Sequence, residues 1–181
     1  MVPEVLHVNG KSYSVISLLG KGKGGYSYLV SDGENRYVLK QIHHEPCEYY
    51  SFGDKLKSEL EDYARLKAVG IPIPVLIDTD VANERILKEY IDGKTVSELI
   101  IDGEMKEDYM LQIKQMCRIL YSAHLNIDYF PTNFVAMDGK LYYIDYECNS
   151  YSKEWDFENW GIKYWSKTPE FCKHFGVPTE D

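Results

Sequence analysis

Long apolar runs are missing from this chain. No stretch approaches the roughly 20 residues needed to span a bilayer, and the opening segment, MVPEVLHVNG, lacks the basic-then-apolar order of a secretory signal. Membrane and exported classes are therefore set aside. Basic charge is also short: 20 Lys and Arg stand against 29 Asp and Glu, a formal net charge of -9. The field of the whole molecule repels polyanions, so nucleic acid is not an expected partner. Cysteine is limited to Cys47, Cys117, Cys148 and Cys172, with no C-x-x-C pair and no His at ligand spacing, so neither zinc nor a redox pair is indicated. Scattered thiols fit a reducing compartment, and the expected location is cytoplasmic. Internal repeats and low-complexity linkers are absent as well. What is present is 181 residues, 44% hydrophobic and 27% charged, which suits one globular domain and excludes disorder.

The first third alternates strand-like runs with glycine-containing turns: Tyr13 to Leu19, Tyr26 to Val30 and Tyr37 to Ile42, the last two separated by Ser31-Asp32-Gly33. This predicts an antiparallel meander. Leu56, Leu60, Tyr63 and Leu66 recur at helical spacing between Lys55 and Val69, and Gly70 with Pro72 supplies the stop. Strands are predicted again at Val75 to Ile77 and Ile86 to Ile91, which makes five antiparallel strands. A second long helix is marked by Met110, Ile113, Cys117, Leu120 and Tyr121. A polar turn follows, then a hairpin of Phe134 to Ala136 and Leu141 to Ile144 around Asp138-Gly139. The aromatic-rich tail after Asp145 is read as helical. The fold class is α+β.

Between the first two strands, Gly20, Gly22 and Gly25 form G-x-G-x-x-G, where backbone without side chains can approach a polyphosphate. Taken alone the motif also fits a flexible hairpin, and a dinucleotide site would need a helix next. A strand follows instead, as in the glycine loop of kinases. Lys40 then sits in the apolar strand Tyr37-Val38-Leu39-Lys40. A lone strand lysine usually faces solvent, but behind a glycine hairpin it matches a lysine that grips phosphates and pairs with a helical glutamate. Glu59 and Glu61 lie about 200° apart on the helix, so one of them at most can face Lys40. Glu59 flanks the apolar stripe and is the choice, although most helical glutamates are solvated charges.

The strongest constellation is Asn126-Ile127-Asp128-Tyr129-Phe130-Pro131-Thr132-Asn133, followed after a short hairpin by Ile144-Asp145. An Asp, an Asn five positions on, and then an apolar strand ending in Asp have the spacing of a kinase catalytic loop and its metal-binding aspartate. Mg²⁺ takes oxygen ligands, which Asn133 and Asp145 offer. Asp128 is left to orient an attacking hydroxyl and accept its proton. Separately, Asp128 and Asn133 could each be turn residues.

Together these motifs resemble the protein-kinase-like superfamily over roughly Tyr13 to Trp165. Glu59, the run Ala68-Val69-Gly70-Ile71-Pro72 and Lys88-Glu89-Tyr90-Ile91-Asp92-Gly93-Lys94-Thr95 are similar to RIO kinases and the small KEOPS-associated kinase. Ile144-Asp145-Tyr146-Glu147 and Trp155-Asp156 are similar to choline and aminoglycoside kinases. The resemblance implies a two-lobed domain, with an N-lobe of five antiparallel strands to about residue 91 and a hinge and reduced helical C-lobe over about 92–181. It implies ATP and Mg²⁺ as cofactors, with adenine held by the backbone around Glu89 and Ile91. It also implies that an aspartate near Asp156 braces the catalytic loop.

The chain departs from the protein-kinase pattern at Asn126, Ile127, Phe130 and Glu147, where His, Arg, Lys and Gly are usual. Thr168-Pro169-Glu170 has the form of an activation-segment end but is read as coincidence. Three functions compete. An atypical serine/threonine protein kinase is favoured, because the short stretch after Asp145 suits a protein acceptor better than an enclosed one. A small-molecule kinase and a nucleotide-binding scaffold or ATPase are the alternatives.

Overall fold

The computed structural model describes residues 2–45 and 54–179. Within them lie two compact units. One holds the described residues within 1–61 and 74–90, and the other those within 62–73 and 91–181.

The first unit is an antiparallel sheet of β1 (Val5–Val8), β2 (Lys11–Lys21), β3 (Gly25–Ser31), β4 (Arg36–Ile42), β5 (Leu76–Asp80) and β6 (Arg85–Glu89), in the order β1-β2-β3-β4-β6-β5. Six strands stand where five are expected; the addition is β1. Its apolar alternation is only Leu6 and Val8, but Asn9-Gly10 makes the hairpin, with positive φ at both residues (49° and 82°) as a two-residue primed turn requires. The sheet curls until its two edges meet through side chains. Asn9 donates its backbone N–H to Asp80 and its side-chain amide to Asp78 and the Thr79 carbonyl, and Arg85 donates to the His7 carbonyl. Leu6, Val8, Tyr13, Val30, Leu39 and Leu87 fill the interior.

Helix α1 (Lys55–Val69) begins where Asp54 accepts the Lys57 N–H and ends at Gly70, whose φ of 85° turns the chain out of the helix. Its residues to Glu61 group with the first unit and the rest with the second.

In the second unit, β7 (Lys94–Thr95), β9 (Phe134–Met137) and β10 (Lys140–Tyr143) form a sheet in the order β10-β9-β7, and β8 (Leu125–Asn126) pairs with β11 (Asn149–Ser150). Around them lie α2 (Val96–Ile101), α3 (Glu107–Ser122) and α4 (Pro169–Phe175). Helix α3 buries Tyr109, Ile113, Met116, Cys117 and Leu120, one stripe at helical spacing. The tail is helical only in pieces: 3-10 turns at Lys153–Trp155 and Gly161–Tyr164, then the seven residues of α4. Its aromatics are spaced to fill a core rather than to line a helix, and Phe157, Trp165 and Phe171 join Tyr129, Phe134 and Tyr143 in it. Thr168-Pro169 is a helix start, with the Thr168 hydroxyl accepting the Phe171 N–H and Pro at the first turn.

Among the described residues, the elements form an α+β arrangement of a curled antiparallel sheet and four α-helices. No helix there is long and apolar enough to cross a membrane. Cys117, Cys148 and Cys172 are buried free thiols, and Cys47 lies outside the described residues.

Candidate active site

In the first unit the glycine turn joins β2 to β3. The Gly22 N–H donates to the Gly25 carbonyl at 2.9 Å, and the His43 N–H donates to the Gly24 carbonyl at 3.1 Å. Gly25 has a packing reason: a Cβ there would drive into the Gln41 carbonyl on β4. Gly20 and Gly22 have none, since a Cβ at Gly20 would meet nothing within 4 Å and one at Gly22 would be 4.0 Å from its nearest neighbour. A Cβ on Gly24 would lie 3.8 Å from the Lys40 ammonium, so the turn runs past that charge.

Lys40 is on β4, and its Nζ donates to Glu59 Oε1 at 2.9 Å, with both side chains largely buried. Glu61 is exposed and, among the described residues, lies 4.0 Å from Lys57. The two helix faces are thus separated as the 3.6-residue repeat demands. Glu89 ends β6, its N–H donating to the Val75 carbonyl at 2.9 Å and its carboxylate accepting from the Val75 N–H. Ile91 is buried in the second unit.

The second unit gathers Asp128, Asn133 and Asp145. Asn133 donates its side-chain amide to the Asp128 carbonyl at 3.3 Å, and its own carbonyl accepts the Ile144 N–H at 2.9 Å, one residue before Asp145. Asp128 accepts the Phe130 N–H on its carboxylate at 3.1 Å, and Asp145 accepts the Tyr146 N–H at 2.8 Å. Fully buried Tyr143 ties the pieces together: its hydroxyl accepts the Asp128 N–H at 3.3 Å and donates to the Glu147 carbonyl at 2.8 Å. Burial first, then the negative charge of Asp145, push the Tyr143 pKa well above its ordinary value, so that proton stays in place to be donated.

No family model matches the chain. Over 87 residues, 45% of this chain and 39% of the relative, it is 28% identical to the KEOPS complex subunit Bud32 of Pyrococcus abyssi. Over 158 residues, 79% of this chain and 16% of the relative, it is 29% identical to the probable serine/threonine-protein kinase mps1 of Dictyostelium discoideum. The similarity is to the protein-kinase-like superfamily. A third match, 33% over 84 residues, is to the probable bifunctional tRNA threonylcarbamoyladenosine biosynthesis protein of Methanocaldococcus jannaschii, covering 46% of this chain and 15% of that protein. The chain spans well under half the length of each of these relatives.

Three of the four departures from the kinase-like pattern have packing reasons. Ile127, where Arg is usual, is buried in the core of the second unit, and Asn126 is buried with its side-chain amide donating to the Ser152 carbonyl. Phe130 packs its ring against Trp160, Tyr164, His174 and Phe175, at centroid distances of 4.8 to 6.4 Å. Asp156 spends its carboxylate within the tail, on the Tyr151 hydroxyl and on Asn159. Burial would raise its pKa, but these hydrogen bonds outweigh burial and hold it below the ordinary value. The tail also reaches the loop through Trp165, whose indole N–H donates to the Tyr129 carbonyl at 2.7 Å.

Two site neighbours escape a motif reading. Asp62, raised in pKa by its burial and by the charge of Asp145, accepts from Arg65 and from the Cys148 N–H. Lys55 is buried in the first turn of α1. Its spacing of four from Glu59 is the one sequence signal, since it puts both on one helix face.

Proposed function

We propose that the chain binds Mg-ATP and moves the γ-phosphate to a hydroxyl, as an atypical serine/threonine protein kinase. The observation that carries the reading is the Lys40–Glu59 pair beside the glycine turn. A largely buried ion pair gains little for folding, because desolvation offsets the Coulomb term. A positioned ammonium beside a glycine turn, however, suits the α and β phosphates of a nucleotide. In this reading the first unit is the N-lobe of a single kinase-like domain, and adenine lies against the backbone around Glu89 and Ile91. The Glu89 N–H, already given to Val75, takes no part in that contact.

Asn133 and Asp145 suit Mg²⁺. With its NH₂ on the Asp128 carbonyl, Asn133 keeps its amide oxygen as the donor, and Asp145 adds a carboxylate. Among the described residues no group of three or more His, Cys, Asp or Glu could hold a metal by itself. Mg²⁺ is ordinarily held by one or two carboxylates, with substrate phosphates and water completing its shell. Bound there, the ion would neutralise charge developing on the transferred phosphoryl group. Asp128 orients the acceptor hydroxyl and takes its proton as that oxygen bonds to the γ-phosphorus and ADP leaves. The match of 79% of this chain to a relative named as a serine/threonine-protein kinase favours a protein acceptor. The partly exposed rings around Phe130, two residues from Asp128, keep a small aromatic or cationic alcohol as the second reading. The buried free thiols suit a cytoplasmic setting.

Mg-ATP at about a hundred times its Kd is expected to stabilise the fold by about 2.7 kcal/mol. Lys40→Ala and Asp145→Ala should shrink the rise in melting temperature. Equal stabilisation of wild type and both variants would refute the site. Glu59→Ala is expected to slow ATP turnover far more than Glu61→Ala; the reverse ranking in a steady-state assay would move the ion pair to Glu61.

A further inference from the structure

Lys55 is 5% exposed, and a buried ammonium persists only where hydrogen bonds replace its water. Here it donates to the His43 carbonyl at 2.6 Å and to the Lys23 carbonyl at 3.3 Å. Lys23 lies inside the glycine turn, and His43 follows β4. His43 is itself fastened to the turn: its N–H donates to the Gly24 carbonyl, and its Nε2 lies 2.9 Å from the Gly22 carbonyl, on which only a protonated ring nitrogen can bond. Three successive turn carbonyls, those of Gly22, Lys23 and Gly24, are therefore held by Lys55 and His43. In a trans peptide the N–H points opposite to the C=O, so the amides of Lys23, Gly24 and Gly25 are turned away from these anchors. Successive amides set in that way suit an anion.

Lys55 is poorly placed for helix stability, since the first turn of α1 carries no acidic residue and a cation there opposes the helix dipole. One helical turn on, Glu59 holds Lys40. We propose that Lys55 is a nucleotide-positioning residue: through it α1 fixes the glycine turn, while through Glu59 the same helix fixes the phosphate-gripping lysine. The proposal rests on the Mg-ATP reading above and adds to it the residue that couples the two halves of the phosphate grip.

The test uses the full chain and two measurements. The first is amide hydrogen exchange at Gly22 and His43 without nucleotide, and the second is the Kd and KM for Mg-ATP alongside kcat. Losing a charge-assisted bond to a turn carbonyl is expected to speed exchange at both amides roughly tenfold in Lys55→Met and to raise Kd and KM by a similar factor, with kcat within about threefold. Lys55→Arg, which retains donors for two carbonyls, should recover most of both. Should Lys55→Met fail to fold, Lys55→Gln, too short to reach both carbonyls, carries the same expectation. Wild-type exchange and affinity in the Met variant overturn the proposal, as does faster exchange with unchanged affinity, or equal impairment of the Arg and Met variants. If wild type binds no Mg-ATP, the function reading fails, while exchange in Lys55→Met still decides whether this lysine shapes the turn.

Discussion

Asp128→Asn is expected to bind Mg-ATP as wild type does while transferring phosphate on the order of 10² times more slowly, or worse, the scale of losing positioned acid–base help. The substitution is nearly isosteric, and an amide oxygen can still accept the Phe130 N–H that the carboxylate accepts now. The loop is held by other groups in any case: Asn133 on the Asp128 carbonyl, the Tyr143 hydroxyl on its N–H, and Trp165 on the Tyr129 carbonyl. What is lost is the carboxylate proposed to take the proton. Labelled γ-phosphate should be followed with the protein alone, with a mixed protein lysate, and with a panel of aminoglycosides and amino alcohols. Label on protein supports the protein-kinase reading, and label on a small molecule transfers support to the second. If wild type binds Mg-ATP but labels nothing and releases no phosphate, and Asp128→Asn behaves identically, the chain is a nucleotide-binding scaffold.

Trp165→Ala should cost about 3–5 kcal/mol, the range for removing a large buried aromatic. Against a total stability of about 5–15 kcal/mol that is a large share. Trp165 is 2% exposed, meets Phe134 and Phe157 edge to face at centroid distances of 5.0 and 5.4 Å, and satisfies the Tyr129 carbonyl. Removing it opens a cavity and leaves a buried acceptor without its indole donor in the segment that carries Asp128. Trp165→Phe keeps most of the ring volume but not the donor, and should cost about 1–3 kcal/mol. Chemical denaturation of the three proteins gives the ranking. A Trp165→Ala protein as stable as Trp165→Phe would mean that the packing of the ring adds nothing beyond its indole donor.

These two residues differ in how visible they are before folding. The grouping of Asp128 with Asn133 and Asp145 was legible from a spacing: an Asn five residues on and an Asp at the end of the next strand. Lys40 and Glu59 were legible because a strand alternates and a helix repeats, so the apolar neighbours of each report which way it faces. Trp165 and Lys55 were not, since both act on backbone carbonyls, which every residue carries and no motif encodes. The tail was read as helical on its aromatic content, but Phe157, Trp165 and Phe171 enter the core from a turn, a bend and a short helix, so their spacing follows no single period. Strand β1 escaped because four residues, three of them apolar, are too few to show alternation, although Asn9-Gly10 was a turn signal in plain view.

That Asn9-Gly10 turn also bears on how the protein behaves in a crowd. An open sheet presents a row of unpaired backbone groups to which another chain can add a strand, a common start to aggregation. Here the seam between β1 and β5 is occupied by the three hydrogen bonds of Asn9, with Arg85 reaching across to His7. A foreign strand would have to displace those bonds before pairing, so a four-residue hairpin arm keeps the seam of the curled sheet from serving as a template.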